Sequence, residues 1–201
     1  MVLDSQKRTQ LLERLDVVQD KGLSTDEASS RRQEVGHFNT VDPPIQCPAW
    51  ICCLLPCIKH IPSMKAYRQM QPEDAEVLRD GRWIRYDASS LVRGDIVRLE
   101  EGDVVPADCM VLQLEDGCEE VVVDHRLIQG GSPLTNPTQM YYGEQLVVGS
   151  CLAVCTAIGP ETRMARLIQQ GKFPSDNSPV MEEDEEAGIS LIERSASREI
   201  S

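Results

Sequence analysis

Four cysteines close together in the chain are the side chains best suited to chemistry: Cys47, Cys52, Cys53 and Cys57. They lie in an apolar run, and the surrounding segment 43–72 contains basic residues but no Asp or Glu. Clustered thiols beside a basic flank are typical of reversible S-palmitoylation. Each acyl CH₂ buried in a bilayer contributes about 0.8 kcal/mol, and basic residues add attraction to anionic lipid. The segment therefore predicts a lipid anchor.

Two other interpretations of these cysteines stay open. Together with His60 they could bind zinc, although their spacing lacks the two separate Cys-x₂₋₄-Cys knuckles of structural zinc sites. They could also be small apolar residues buried in a core. A disulfide framework is not favoured, because the N-terminal sequence M-V-L-D-S-Q-K-R lacks the basic and apolar regions of a secretory signal.

A run of short strands separated by turns is predicted between Val77 and Leu112. Asp80-Gly81 lies between apolar residues and predicts a tight hairpin turn. Gly94-Asp95 begins a second strand, which continues over Ile96–Leu99. Pro106 belongs at a strand edge or a corner, because proline donates no hydrogen bond to a sheet. This pattern predicts a β-rich domain.

Further strands are predicted over Glu119–Val123 and Gly149–Ala157. In the second of these, Cys151, Ala153 and Cys155 alternate along the strand and so share one face. Cys151 and Cys155 are therefore interpreted as core residues and not as ligands. A short helix is predicted next, over Glu161–Gln170.

Helices are predicted before the strands. Leucines at helical spacing indicate an amphipathic helix over Asp4–Gln19. Ser24-Thr25-Asp26-Glu27 has the form of a capping box, so a second helix begins near Thr25 and ends before Gly36. The polar sequence Ser63–Leu78 predicts a third helix.

Three motifs within the strands carry a resemblance to a known family. R-D-G-x-W, L-V-x-G-D-I-V and G-D-x-V-P-A-D occur in this order between residues 79 and 108. They resemble the actuator domain of P-type cation ATPases, most closely that of the plasma-membrane proton pumps. Gly22–Asn39 resembles the N-terminal motif of the same proteins. The resemblance implies a distorted, jelly-roll-like actuator core.

The resemblance also implies the position of a catalytic loop, T-G-E-S in the family, whose Glu positions the water that hydrolyses an aspartyl phosphate. Aligning Asp124–Ile128 with the family's D-x-S-x-L places Gln129, Gly130, Gly131 and Ser132 on this loop. We call these four residues the QGGS loop. Gly131 stands where the family has the catalytic Glu, and it has no side chain with which to act.

No other catalytic motif was found in the 201 residues. They contain neither the family's phosphorylation motif D-K-T-G-T nor a glycine-rich G-x-x-x-x-G-K-[ST] phosphate loop. The sequence therefore predicts a protein without enzymatic activity of its own. It also predicts no catalytic residue, no cofactor, no metal site and no small-molecule substrate.

The charge of the chain limits its partners. Twenty basic and thirty-three acidic residues give a net charge of −13, which argues against nucleic acid as a partner. The last thirty residues, 172–201, contain eight acids and three bases and are expected to be disordered.

The sequence thus predicts an α+β protein in four parts. These are an N-terminal helical segment over 1–42, a Cys-rich possible anchor over 43–72, an actuator-like domain over 73–171 and the acidic tail over 172–201. The favoured function is a non-catalytic actuator module at the cytoplasmic face of a membrane that binds or regulates an intact cation (proton) pump. The alternatives are a part of an active cation-transporting P-type ATPase and a metal- or redox-responsive cysteine protein.

Overall fold

A computed structural model describes residues 4–46 and 61–175 of the chain. Cys47, Cys52, Cys53, Cys57 and His60 lie outside the described residues, and so does most of the acidic tail. Within the described ranges, no helix is long and apolar enough to span a bilayer.

The described residues form helices and strands with the following bounds. The α-helices are α1 (Ser5–Leu15), α2 (Thr25–Val35), α3 (Pro62–Gln69) and α4 (Arg163–Gln169). The strands are β1 (Asp74–Arg79), β2 (Arg82–Asp87), β3 (Ile96–Leu99), β4 (Asp108–Leu114), β5 (Val122–Asp124), β6 (Leu134–Thr135), β7 (Gln139–Met140), β8 (Gln145–Val148) and β9 (Cys151–Ala157). Two 3₁₀ turns, Ala88–Ser90 and Gly159–Glu161, complete the set.

The two N-terminal helices follow the sequence signals closely. α1 ends four residues earlier than predicted, because Asp16 adopts a left-handed conformation with φ of 51°. α2 begins and ends as predicted. The Ser24 hydroxyl accepts a hydrogen bond from the Glu27 backbone N–H, and Gly36 is in the left-handed region after the last turn.

The helix predicted over Ser63–Leu78 is wrong in its second half. α3 ends at Gln69, and Asp74–Leu78 belongs to strand β1. β1 pairs with β2 on one side and with β3 on the other, so its backbone hydrogen bonds are satisfied within a sheet. Val77 is fully buried there. Long-range pairing thus outweighs the local preference of this Glu-, Ala- and Leu-containing segment for a helix.

The other predicted elements differ from the structure only at their ends. The strand expected over Glu119–Val123 is β5, which is shorter and starts at Val122. The helix expected over Glu161–Gln170 is divided into a 3₁₀ turn and α4, because Thr162 caps α4 with its hydroxyl.

Two antiparallel sheets form the domain. The larger has the strand order β2-β1-β3-β9-β4-β7, and the smaller has the order β6-β5-β8. Asp80-Gly81 forms the predicted two-residue turn, since Arg79 pairs with Arg82 across the β1–β2 hairpin. The fold is therefore α+β, composed mainly of strands with flanking helices, as the sequence predicted.

The central strands β3, β4 and β9 of the larger sheet are buried on both faces. Val97, Val111 and Ala153 pack with residues of the smaller sheet, including Val123 and Leu146. Cys151 and Cys155 are fully buried on this same face, as predicted.

Residues that alternate with these point to the opposite face. There Ile96, Leu112 and Val154 pack against α1 and α2. The first two helices therefore form a layer over the larger sheet, and the smaller sheet forms a layer on its other side.

Candidate functional site

A short turn connects β5 to the QGGS loop. The backbone N–H groups of Ile128 and Gln129 donate to the His125 carbonyl at 3.1 and 2.8 Å, and Gly130 N–H donates to the Arg126 carbonyl at 3.1 Å. The loop therefore begins on a hydrogen-bonded scaffold at the end of a strand.

Gly131 has a backbone conformation that suits glycine. Its φ is +92°, in the region that L-residues rarely adopt, and it follows Gly130 with a φ of +72°. A Cβ built at Gly131 would meet no heavy atom within 4 Å. The position is thus open in space, but its backbone disfavours any other side chain.

Gln129 attaches the loop to the domain. Its amide Nε2 donates a hydrogen bond of 3.0 Å to Oε1 of Glu144, which is only 2% exposed. The second carboxylate oxygen of Glu144 accepts a bond of 2.9 Å from the Tyr141 backbone N–H. Burial raises the pKa of Glu144 to about 7, although both hydrogen bonds favour the charged form. The Gln129 side chain thus attaches an exposed loop residue to a buried carboxylate.

Asp108 supports the same region from β4. Its carboxylate accepts hydrogen bonds from the backbone N–H groups of Tyr142, at 3.0 Å, and Arg163, at 2.8 Å. It is 5% exposed, and burial raises its pKa. Asp108 therefore joins β4, the turn before β8 and the start of α4 next to the QGGS loop.

The residues just before the loop carry a second set of charges. Arg126 binds the Asp124 carboxylate with both Nε and Nη2, at 3.0 and 2.6 Å. This contact lowers the pKa of Asp124. The His125 ring Nδ1 is buried and, among the described residues, has no hydrogen-bond partner.

A cavity of about 330 Å³ lies beside the loop. Its walls are the turn at 124–128, the end of α3 at Gln69 and Met70, and residues 143–145. Glu144, which holds Gln129, is among the lining residues.

This geometry attaches the start of the QGGS loop to the domain. The two buried carboxylates, Glu144 and Asp108, already accept hydrogen bonds from the domain. The QGGS loop itself carries no carboxylate, and Gly131 and Ser132 are exposed. The arrangement is therefore suited to presenting a fixed surface.

The cysteine site predicted from the sequence lies in the part of the chain that the structure does not describe. In the described ranges, Cys109, Cys118, Cys151 and Cys155 are free thiols. No group of three or more potential metal ligands occurs among these described residues.

Sequence reasoning missed two residues of the site, Asp108 and Glu144. Asp108 is the last residue of the G-D-x-V-P-A-D motif, but the motif alone does not show that its carboxylate holds Tyr142 and Arg163. Gly143-Glu144 is an ordinary turn sequence, and only the contact with Gln129, fifteen residues away, gives Glu144 its importance.

Comparison with known proteins identifies the fold that carries this loop. The P-type ATPase actuator domain family model matches residues 69–172. Calcium-transporting ATPase 2, endoplasmic reticulum-type, from Arabidopsis thaliana is 31% identical over 152 residues, which are 64% of this chain and 14% of that protein. Calcium-transporting ATPase 1 from Lactococcus lactis subsp. lactis (strain IL1403) is 36% identical over 118 residues, 53% of this chain and 13% of that protein.

Two further proteins extend the comparison. A probable plasma membrane ATPase from Dictyostelium discoideum is 32% identical over 114 residues, 54% of this chain and 10% of that protein. The crystal structure of a zinc-transporting PIB-type ATPase in its E2.Pi state aligns with a TM-score of 0.44 and 22% identity, over 52% of this chain and 17% of that one. The chain thus spans between 10% and 14% of the length of these curated relatives. The family model covers more than half of the chain, and the chain therefore belongs to the P-type ATPases and contains their actuator domain at residues 69–172.

Proposed function

We propose that this chain is a non-catalytic actuator module that binds to, or regulates, an intact P-type cation pump. The sequence alignment that puts Gly131 where the family has its catalytic Glu supports this proposal most directly. The φ of +92° at Gly131 adds a second argument, because the backbone here has taken a conformation that disfavours a Glu side chain.

The attachment of the loop supports binding as the activity that is retained. Two consecutive glycines would leave the loop with many accessible conformations. The bond from Gln129 to the buried Glu144 carboxylate restricts one end of it. A loop that is ordered but lacks a catalytic carboxylate can occupy a docking site without hydrolysing a phosphate.

We propose the transported ion in two steps. Two of the relatives are named calcium-transporting ATPases, which supports a cation pump as the partner. The motifs between residues 79 and 108 resemble those of plasma-membrane proton pumps, and we therefore favour a proton pump as the partner.

The membrane is the second proposed partner. Four thiols in an acid-free segment suit S-acylation, so Cys47, Cys52, Cys53 and Cys57 would hold the module at the cytoplasmic face. Membrane fractionation with and without hydroxylamine, which cleaves thioesters, tests this part. Release by hydroxylamine supports the anchor, and a protein that stays in the supernatant throughout contradicts it.

The second candidate function is a role in an active cation-transporting ATPase. The match to the actuator domain family over residues 69–172 favours it. It requires the QGGS loop to support hydrolysis of an aspartyl phosphate although Gly131 lacks a carboxylate.

One experiment separates the two candidates. Membranes containing a proton pump whose own loop Glu is changed to Gln are phosphorylated with ATP, and the decay of the phosphoenzyme is followed with and without this protein. We expect the protein to cosediment with these membranes and to leave the decay rate unchanged. A faster decay would contradict the non-catalytic assignment, and absence of pump-dependent binding would contradict the regulatory one.

Two controls make the result specific. Vesicles of the same lipid without the pump measure the contribution of the membrane alone. A variant with all four anchor cysteines changed to serine separates pump binding from lipid binding, since its actuator domain is unaltered.

A further inference from the structure

Two buried cysteines face each other at the centre of the larger sheet. Cys109 on β4 and Cys155 on β9 are direct partners in the strand register. Their Sγ atoms are 3.8 Å apart, and both residues are fully buried. Each of them packs among apolar residues of the core between the two sheets.

The backbone geometry at this pair suits a disulfide. The N–H and C=O of Cys155 bond to Asp95 and Gly94 on the β3 side, at 2.8 Å each, so neither group is used toward β4. Cys109 and Cys155 therefore occupy a non-hydrogen-bonded position of an antiparallel pair, directly after a register shift between Asp108 and Cys109. In regular pairs of this kind the side chains come closest, and the Cα atoms are about 4.5 Å apart. That separation lies within the range that a disulfide spans, about 4.4–6.8 Å.

We propose that Cys109 and Cys155 are a latent disulfide, which a low-molecular-weight disulfide oxidant converts into a covalent link between β4 and β9. One thiolate attacks the oxidant and releases one small thiol. The second thiolate then attacks the mixed disulfide and releases the other. One S–S bond forms in the protein and one is reduced in the oxidant, and two protons leave the protein thiols.

This oxidation is slow as long as the larger sheet is intact. The contact with Cys109 and burial both raise the pKa of the Cys155 thiol, so little thiolate is present in the intact core. The oxidant reaches the pair only when β4 and β9 separate. Cys118 offers a contrast, because it is only partly buried and lies near the surface.

The disulfide would join β4 and β9 covalently, and both of these strands contact or lead to the start of α4. β4 begins at Asp108, which holds the start of α4, and β9 leads through Gly159 to that same helix. Oxidation would therefore prevent β4 and β9 of the actuator domain from separating. This inference is independent of the proposed regulatory function.

The test is to oxidise the purified protein with oxidised glutathione, alkylate the remaining thiols in denaturant and map the peptides. We expect peptides that contain Cys109 and Cys155 to be joined with loss of two hydrogen atoms. The link should form more slowly than the mixed disulfide at Cys118, and low urea should accelerate it. The oxidised protein should also unfold at a higher temperature than the reduced protein.

Two variants on the same strand provide matched controls. Cys155→Ala removes one partner and should abolish both the link and the thermal shift. Cys151→Ala removes a thiol that is equally buried on the same face and should retain both. The proposal is overturned if Cys109 and Cys155 remain alkylatable after complete oxidation, if Cys155 links to another cysteine, or if the link leaves the unfolding temperature unchanged.

Discussion

Asn39 and Gly159 are joined by a hydrogen bond of 2.9 Å, in which the Gly159 backbone N–H donates to the Asn39 side-chain carbonyl across 120 residues of sequence. The Asn39 amide donates in turn to the backbone carbonyls of Ala88, at 2.8 Å, and Pro106, at 2.7 Å. Asn39 is 2% exposed. One buried side chain thus connects the end of the N-terminal motif to three separate segments of the actuator domain.

Replacing this side chain should destabilise the whole domain. Asn39→Ala leaves the buried Pro106 carbonyl and the buried Gly159 N–H without this partner, while the Ala88 carbonyl keeps the bond from the Leu91 N–H. We expect a loss of about 3–5 kcal/mol in the free energy of unfolding. Urea denaturation measures the loss. Ser29→Ala is the control, because the Ser29 hydroxyl bonds only to its own helix on an exposed surface. A change below 1 kcal/mol for Asn39→Ala, on the scale of an average single bond, would contradict this role.

Breaking the ion pair between Arg79 and Asp95 should lower the free energy of unfolding by a similar amount. Arg79 donates from Nε and Nη2 to the two Asp95 oxygens, at 2.9 and 2.5 Å, and the side chains are 4% and 0% exposed. Asp95→Asn keeps the shape but leaves a buried guanidinium without its counter-charge. We expect a loss of about 3–5 kcal/mol in the free energy of unfolding.

A surface pair in the same sheet is the matched control for this prediction. Arg85 and Asp74 approach to 3.3 Å, and their side chains are 64% and 49% exposed. Asp74→Asn should change the free energy of unfolding by less than about 1 kcal/mol, because solvent screens exposed pairs. Equal losses in the two variants would show that burial of the Arg79–Asp95 pair is not the cause.

The sequence predicted the parts of this fold that depend on near neighbours. The Asp80-Gly81 hairpin, the Ser24 cap and the alternation along β9 are each decided within a few residues, where turn chemistry and periodicity apply. Strands were expected only from Val77 onward, and the start of β1 at Asp74–Glu76 was missed. Its state depends on pairing with β2 and β3, and local propensity gives no information on that pairing.

The candidate site likewise has residues that were assigned from local sequence and contacts that depend on distant parts of the chain. Gln129, Gly130, Gly131 and Ser132 are assigned to the loop by alignment of a motif, and this assignment stays a prediction. Their attachment to Glu144 could not be predicted, because Glu144 lies beyond β6 and β7 in the chain and in an ordinary turn. The opposition of Cys109 and Cys155 was likewise hidden, since it depends on the register of two strands 46 residues apart.

Glu144 should make the stability of the domain depend on pH. Burial raises its pKa in the folded state to about 7, above its ordinary value of 4.5, so the folded protein binds this proton more tightly than the unfolded chain does. The free energy of unfolding should therefore fall as the pH rises from 5 to 8, by about 2–3 kcal/mol from this group. Denaturation at a series of pH values measures the slope.

The variant Glu144→Gln isolates this contribution. It removes the titrating group, while Asp108, His125, Arg126 and Arg163 stay in place around it. We expect the variant to lose less stability than the wild type between pH 5 and 8. Parallel profiles for the two proteins would show that Glu144 does not titrate in this range.

Two glycines with positive φ should respond very differently to the same substitution. A Cβ at Gly22, where φ is +67°, would lie 1.9 Å from the backbone oxygen of Leu78, and a Cβ at Gly131 would meet nothing within 4 Å. Gly131→Ala should therefore cost only the backbone strain, about 1 kcal/mol. Gly22→Ala adds a clash with the main chain of β1, which side-chain rotation cannot relieve, and should cost about 3 kcal/mol or more. Urea denaturation of both variants measures the difference. Equal losses would mean that the segment before α2 moves freely over β1, and the layer that α1 and α2 form on the larger sheet would then be loosely held.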